Sequence, residues 1–172
     1  MPATRDDLFQ FFHSLGIETV TVEHPPLFTV EQSQGLRGEI AGLHSKNLFL
    51  KDKKGALFLV VAEEQAAIDL KRLHERIGAS GRLSFASAGL MQDLLGVQPG
   101  SVTPFGLIND SEARIRVVLD EALAGPDPVN FHPLANTATT TIAAVGLLAF
   151  LRATGHEPLF LSFSAAPASP DL

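Results

Sequence analysis

Three short segments hold the residue types from which a reactive site can be assembled. They are HSKNLFLK at 44–51, GSVTPFG at 100–106 and NFHPLANTATTT at 130–141. In the first, Lys46 and Asn47 open a run of apolar residues. Strand alternation sets Lys46 on one face with Leu48 and Leu50, and Asn47 on the other with Phe49 and Lys51. If Leu48 and Leu50 face a core, Lys46 stands at its mouth and offers three donors to an anionic or carbonyl oxygen. The alternative is a lysine whose stem covers apolar surface while its head reaches water.

In the second segment, Gly100 and Gly106 allow backbone to approach a ligand, and Pro104 drives Thr103 toward an extended conformation. A loop so held, Gly100-Ser101-Val102-Thr103-Pro104, can aim N–H groups at a carbonyl or an oxyanion. It can equally be an ordinary structured turn. The third segment sets His132, Asn136 and several threonines at a sheet end, a cluster of neutral donors and acceptors suited to a polar ligand. A lone histidine there serves more often as a structural hydrogen-bond partner than as an acid or base.

Other chemistries lack support. The chain has no cysteine, which excludes disulfides, thiolate nucleophiles and zinc–sulfur sites. No HExxH, GxSxG, P-loop or GxGxxG pattern occurs, and the six histidines are scattered. Ser45 and Lys46 are not a dyad, because neighbours on a strand point to opposite faces. An enzyme built from this inventory has no obvious protein nucleophile.

The elements that position these segments follow from periodicity. Thr4 precedes Asp6 and Asp7, and Leu8, Phe11, Phe12 and Leu15 recur at helical spacing up to Gly16. Thr19 to Glu23 alternates as a strand, and a short helix is expected around Val30 to Gly35. Lys46–Lys51 and Ala56–Ala62 predict a hairpin closed by Asp52-Lys53-Lys54-Gly55. Its second strand, ALFLVVA, is apolar on both faces and predicts a sheet covered on both sides.

Ile68, Leu73 and Ile77 predict a helix ended by Gly78, and Ala88 to Leu95 another ended by Gly96. Short extended stretches are expected at 82–86, 114–119, 129–131, 137–142 and 159–163, with a helix at 144–154. The segment 97–110 is expected to be too irregular for helix. Interleaved helices and strands with an antiparallel hairpin define a mixed α/β or α+β sheet. One domain is expected over 1–164, with 165–172 a disordered tail.

The 172 residues are 45% apolar and 19% charged, the balance of a soluble globular protein. No apolar run reaches the roughly 18 residues of a membrane span. Acids stand in the N-terminal stretch where an export signal would carry positive charge, so a cytoplasmic protein is expected. The net charge of −6 argues against non-specific nucleic-acid binding, DNA included. The charge is unevenly spread: Lys46, Lys51, Lys53, Lys54, Lys71, Arg72, Arg76 and Arg82 make eight basic residues against five acids over 46–82. A positive face on an acidic body suits an anionic partner engaged at one place, or is simply a solvated surface.

KNLFLKDKKGALFLVV, PGSVTPFGL and NFHPLANTATTTI, in this order and at these separations, resemble the YbaK/prolyl-tRNA-synthetase-associated editing family. More narrowly they are similar to its free-standing PrdX or ProXp-ala type, which deacylates alanyl-tRNA(Pro). The resemblance runs from the first helix to the LFLSF segment. It implies a compact, partly barrel-like mixed sheet flanked by helices, with the site at one open end.

It further implies that Lys46 is the family's essential lysine with Asn47 beside it, and that Gly100 to Pro104 is its GxxxP loop. His132 matches a histidine near the aminoacyl pocket, and Asn136 falls in the same motif. Lys46 and Gly100 are thus the expected catalytic residues, with Asn47, Ser101, Val102, Thr103, Pro104, His132 and Asn136 binding substrate.

The partner implied is the acceptor end of mischarged tRNA(Pro), met by Lys51, Lys53, Lys54, Lys71 and Arg72. Prolyl-tRNA synthetase or an elongation factor would be transient partners. No membrane, metal or cofactor is implied. The alternatives are a cysteinyl-tRNA(Pro) deacylase of YbaK type, a module that grips tRNA ends or nucleotides without chemistry, and a metal-dependent hydrolase.

Overall fold

A computed structural model describes residues 1–26 and 40–163. The helix expected at Val30–Gly35 and the tail 165–172 lie outside the described residues. Helix α1, Arg5–Ser14, begins with a reciprocal cap: the Thr4 hydroxyl accepts from the Asp7 N–H, and the Asp7 carboxylate accepts from the Thr4 N–H. Leu8 and Phe12 are its buried face.

The strands are β1 (Thr19–Glu23), β2 (Leu43–Lys51), β3 (Leu57–Glu63), β4 (Ser84–Phe85), β5 (Ile115–Asp120), β6 (Val129–Phe131), β7 (Ala138–Ile142) and β8 (Leu159–Leu161). They form one sheet in the order β1-β7-β6-β2-β3-β5-β8, with β4 also paired to β2. The β1–β7, β7–β6 and β2–β3 pairs are antiparallel, and β6–β2, β3–β5 and β5–β8 are parallel. The mixed α/β class expected from the sequence is the observed one.

The hairpin closes as expected. Gly55 holds φ +85°, and the Asp52 carboxylate accepts the N–H groups of Lys54, Ala56 and the distant Ser80. Those bonds, Ser80 foremost, hold the Asp52 carboxyl below the usual carboxylate range.

Burial on both faces of β3 is complete. Leu57, Leu59 and Val61 enter one core, while Phe58, Val60 and Ala62 enter another. The larger core also takes Leu8 and Phe12 of α1, Phe49, Phe105, Phe131 and three residues of the C-terminal helix, α4 (Ala144–Ala153): Leu147, Phe150 and Leu151. The smaller core takes Leu50, Val118, Phe163 and the Leu73 and Ile77 side chains of α2, Leu73–Ile77. Each fully buried side chain of this size contributes about 1.5–3 kcal/mol relative to exposure.

Two expectations change. The helix ending at Gly78 is only five residues long, and Ile68 packs on the smaller core from outside it. Its start is set by Asp69, whose side chain accepts from the Lys71 N–H and whose carbonyl accepts from Leu73. The segment expected to be too irregular for helix contains a 3-10 turn, Pro104–Asn109, capped by the Thr103 hydroxyl. Pro104 at its first position needs no N–H partner there. The stretch after Ser87 is a short α3, Ala88–Leu90, widened into a π turn at Met91–Leu95.

Candidate active site

Strand β2 has more partners than a strand has edges to give wholly. β3 lies along Ser45–Lys51, whereas the other edge is shared by β6 at Leu43–His44 and β4 at Leu50–Lys51. Ala86 adds one more bond, donating its N–H to the Phe49 carbonyl. Among the described residues, the stretch Lys46–Leu48 therefore has no strand partner on this edge. An opening in the sheet falls on the Lys-Asn pair singled out by sequence.

Its near end is tied by Asn130, only 3% exposed. The Asn130 amide donates to the carbonyls of Ala41 and Leu43, and its side-chain oxygen accepts from the Thr141 hydroxyl. The Ser45 hydroxyl donates to the Asn130 carbonyl at 2.8 Å. Asn130 so joins β2, β6 and β7, a role that nothing in the local sequence pattern singles out.

Lys46 and Asn47 leave β2 on opposite faces. Lys46 follows Leu48 and Leu50 toward the smaller core, as alternation requires, and its ammonium donates to the Ala66 carbonyl. Asn47 follows Phe49 toward the larger core. Its amide reaches the Ser45 hydroxyl at 3.3 Å, but its buried side-chain oxygen has no hydrogen-bond partner. Such an acceptor is costly to leave empty and is ready for a ligand's N–H or O–H.

The loop at 100–104 reaches the site through Phe105. That ring packs edge to face on Phe12, Phe131 and Phe150 at 5.0, 5.4 and 5.5 Å between centroids. Gly100 holds φ +90°, a left-handed backbone that favours glycine. The Ser101 N–H is engaged by the Gln98 carbonyl, and the Thr103 hydroxyl accepts from Phe105. Gly100, Val102 and Thr103 N–H groups meet no acceptor among the described residues. Ser101, Thr103 and Pro104 are buried, Val102 is half-buried against the larger core, and Gly100 is exposed.

The third segment lies beside this loop because Phe131, next to His132, touches Phe105. A Cβ placed on Gly100 would lie 3.9 Å from the Asn136 amide nitrogen. Leu134, half-buried between His132 and Asn136, is held at φ +73°, a strained conformation for a residue of its size.

His132 Nδ1 donates to the Ala138 carbonyl at 3.2 Å, so in the neutral ring the Nε2 lone pair is the acceptor. Burial pushes the His132 imidazole below its ordinary value of 6.5. The Ala138 bond opposes this, and the neighbouring His24 reinforces it. His24 is itself fixed: its backbone N–H donates to the Thr137 carbonyl, its Nδ1 donates to the Pro25 carbonyl, and its Nε2 lies 2.8 Å from the Thr139 hydroxyl. No sequence motif singles out His24, which is separated from His132 by 108 residues and brought close by β1–β7 pairing.

The Gly100–Pro104 loop thus lies beside Asn136 and the segment that carries His132, while Asn47 leaves β2 toward the larger core and Lys46 toward the smaller one. Lys51, Lys53 and Lys54 are exposed at the hairpin, and Arg72 is paired with Glu75 at 3.1 Å. No group of three or more metal-ligating side chains occurs among the described residues, nor any helix long and apolar enough to cross a membrane.

Backbone donors, a neutral histidine, amide groups and a lysine around a gap in a mixed sheet define a polar site suited to a carbonyl-containing, anionic ligand. The chain belongs to the aminoacyl-tRNA editing domain family, whose sequence profile matches residues 24–150. It is 40% identical over 161 residues to prolyl-tRNA synthetase associated domain-containing protein 1 of Danio rerio, covering 92% of this chain and 87% of that protein. It is 39% identical over 143 residues to the prolyl-tRNA editing protein ProX of Acetoanaerobium sticklandii, covering 83% and 87%. The fold is also that of a crystal structure described as a proposed trans-editing enzyme for prolyl tRNA synthetase. There the TM-score is 0.66 at 23% identity, over 94% of this chain and 99% of that one.

Proposed function

We propose that this chain is a trans-editing deacylase that hydrolyses mischarged alanyl-tRNA(Pro) to alanine and free tRNA(Pro). The observation that carries the reading is the approach of the Gly100 loop to Asn136, with Phe105 packed on the Phe131 that precedes His132, in a chain of the editing family. Its likeness to a protein named for prolyl-tRNA editing supports the choice of tRNA.

In this mechanism a water oxygen attacks the ester carbonyl carbon. The carbonyl oxygen becomes an oxyanion that accepts from the unengaged N–H groups of the 100–104 loop, worth about 3–4 kcal/mol of barrier. Collapse breaks the bond to the ribose oxygen, which takes up the proton lost by water. Asn47 and the His132 Nε2 accept from the α-ammonium of the amino acid, and Asn136 orients the loop. Lys46 leaves the Ala66 carbonyl to bind the phosphate or carbonyl side of the terminal adenosine ester, and a free ribose hydroxyl positions the water.

Such a site has a physical motive. A synthetase pocket shaped for proline rejects smaller alanine weakly, each missing methylene being worth about 1–3 kcal/mol. A second pocket that admits alanine and excludes the proline ring supplies the rest. The test is deacylation of tRNA(Pro) charged in parallel with alanine, cysteine and proline. Preferential release of alanine is expected. Preferential release of cysteine overturns the substrate, and no release above the uncatalysed rate overturns the enzyme.

A further inference from the structure

We infer that Phe85 is a stacking platform for a base of the single-stranded 3′ end of the RNA substrate, a placement that rests on the tRNA reading above. Phe85 is 60% exposed, yet its backbone is fixed on both sides. It sits on β4 opposite Leu50 of β2, the next residue Ala86 is buried and bonded to the Phe49 carbonyl, and Ser87 caps the following helix. A large apolar ring is thus presented to solvent by a rigid support.

Its position is specific. Residues directly opposed across a strand pair share a face, so Phe85 lies on the side of β2 that carries Leu50, Leu48 and Lys46. Lys46 is four residues along, about 13 Å. Phe85 flanks the opening in the sheet on the β4 side, as Asn130 does on the β6 side.

The surroundings carry the charge that nucleic acid requires. Arg82 is exposed three residues before Phe85 and the Lys53 stem lies over Gly81, while exposed Lys51, the register partner of Ser84, leaves β2 on the other face. From Ala79 to Gln92 there is no acidic residue, and the acid in the hairpin, Asp52, is buried with its oxygens taken by N–H donors. An aromatic face amid lysine and arginine is the arrangement on which unpaired bases stack while phosphates meet the cations.

The chain contains no tryptophan or tyrosine, so Phe85→Trp introduces a single reporter. Its emission should be quenched by an acceptor-stem RNA ending in CCA, less so as salt rises, and left unchanged by the same stem without CCA. Leu159→Trp, on β8, serves as a control that should not respond. In steady-state deacylation Phe85→Ala should raise KM about ten-fold, with kcat within about two-fold of the parent, and Phe85→Tyr should restore KM.

Equal quenching by the stem lacking CCA, or an unchanged KM in Phe85→Ala, overturns the proposal while leaving an active deacylase. A wild-type protein that releases no amino acid, but shows CCA-dependent quenching in Phe85→Trp, overturns the editing reading and leaves the platform standing. Because the ring is exposed, the thermal midpoint of Phe85→Ala checks that any change in KM is not unfolding.

Discussion

Phe105 packs edge to face on Phe131, with ring centroids 5.4 Å apart and planes at 72°. Through this contact two loops far apart in sequence, 100–104 and 132–137, come to stand side by side. The relation makes Phe105 a positioning residue rather than a mere volume filler. Phe105→Leu keeps most of the volume but loses the edge-to-face geometry, worth about 0.5–1.5 kcal/mol for each aromatic partner. We expect a lower thermal midpoint together with a fall in kcat larger than any change in KM. A variant with parental kcat would show that the loops hold their places without the ring.

Lys46→Ala removes one hydrogen bond to Ala66 and is expected to cost about 1 kcal/mol of stability. Its effect on deacylation should be far larger, about 100-fold or more in kcat/KM if the ammonium meets the substrate. Lys46→Arg should not restore it, since a planar guanidinium cannot replace a compact ammonium. Comparing denaturant midpoints with single-turnover rates separates the two effects.

Gly100→Ala tests backbone rather than bulk. An added Cβ meets only the Asn136 amide, at ordinary contact distance, but φ +90° disfavours any L side chain by about 1–2 kcal/mol. The loop should relax, misaim its N–H donors and lose about 10²–10³ in kcat, with substrate binding much less affected. Single-turnover rates set beside binding of uncharged tRNA will show whether the loss is confined to chemistry.

His132 sets an acid limit. Its folded pKa lies below 6.5, so the unfolded chain binds the proton first as pH falls. The stability contributed by the buried neutral ring is complete above pH 6.5 and is lost as acidification proceeds from there to the folded pKa. Between pH 7 and 5 the parent should lose thermal stability faster than His132→Gln. The acid limb of the deacylation profile should also fall below 6.5, and a limb above it would remove His132 from the substrate-accepting role.

A buried pair outside the candidate site residues provides a contrast. His156 Nε2 is 2.8 Å from Asp110, both side chains 1% exposed, and Asp110 also accepts the N–H groups of Arg114 and Ile115. Asp110→Ala should cost about 3–5 kcal/mol, because it strands several buried donors at once. Deacylation per folded molecule should be retained at low temperature, which distinguishes this residue from those at the open edge.

Much of this protein is legible before folding. Helix α1 is written in Thr4, Asp7 and the spacing of Leu8 and Phe12, and strand β3 in a run apolar on both faces. The Lys46/Asn47 alternation, the 100–104 loop and the His132 segment also stand out, because residue type and two-residue or 3.6-residue periods act locally. The shortened α2 was not legible: Asp69 ends the turn before it through bonds that compete with helix.

What tertiary structure alone decided is which of these pieces meet. The opening in β2 exists because β6 and β4 divide one edge, a matter of long-range pairing that no local period encodes. The approach of Gly100 to Asn136, the acceptor left empty on Asn47 and the nearness of His24 to His132 follow from aromatic packing and sheet order. Local sequence chose the chemical groups, and burial of the rings and pairing of distant strands brought them to one place.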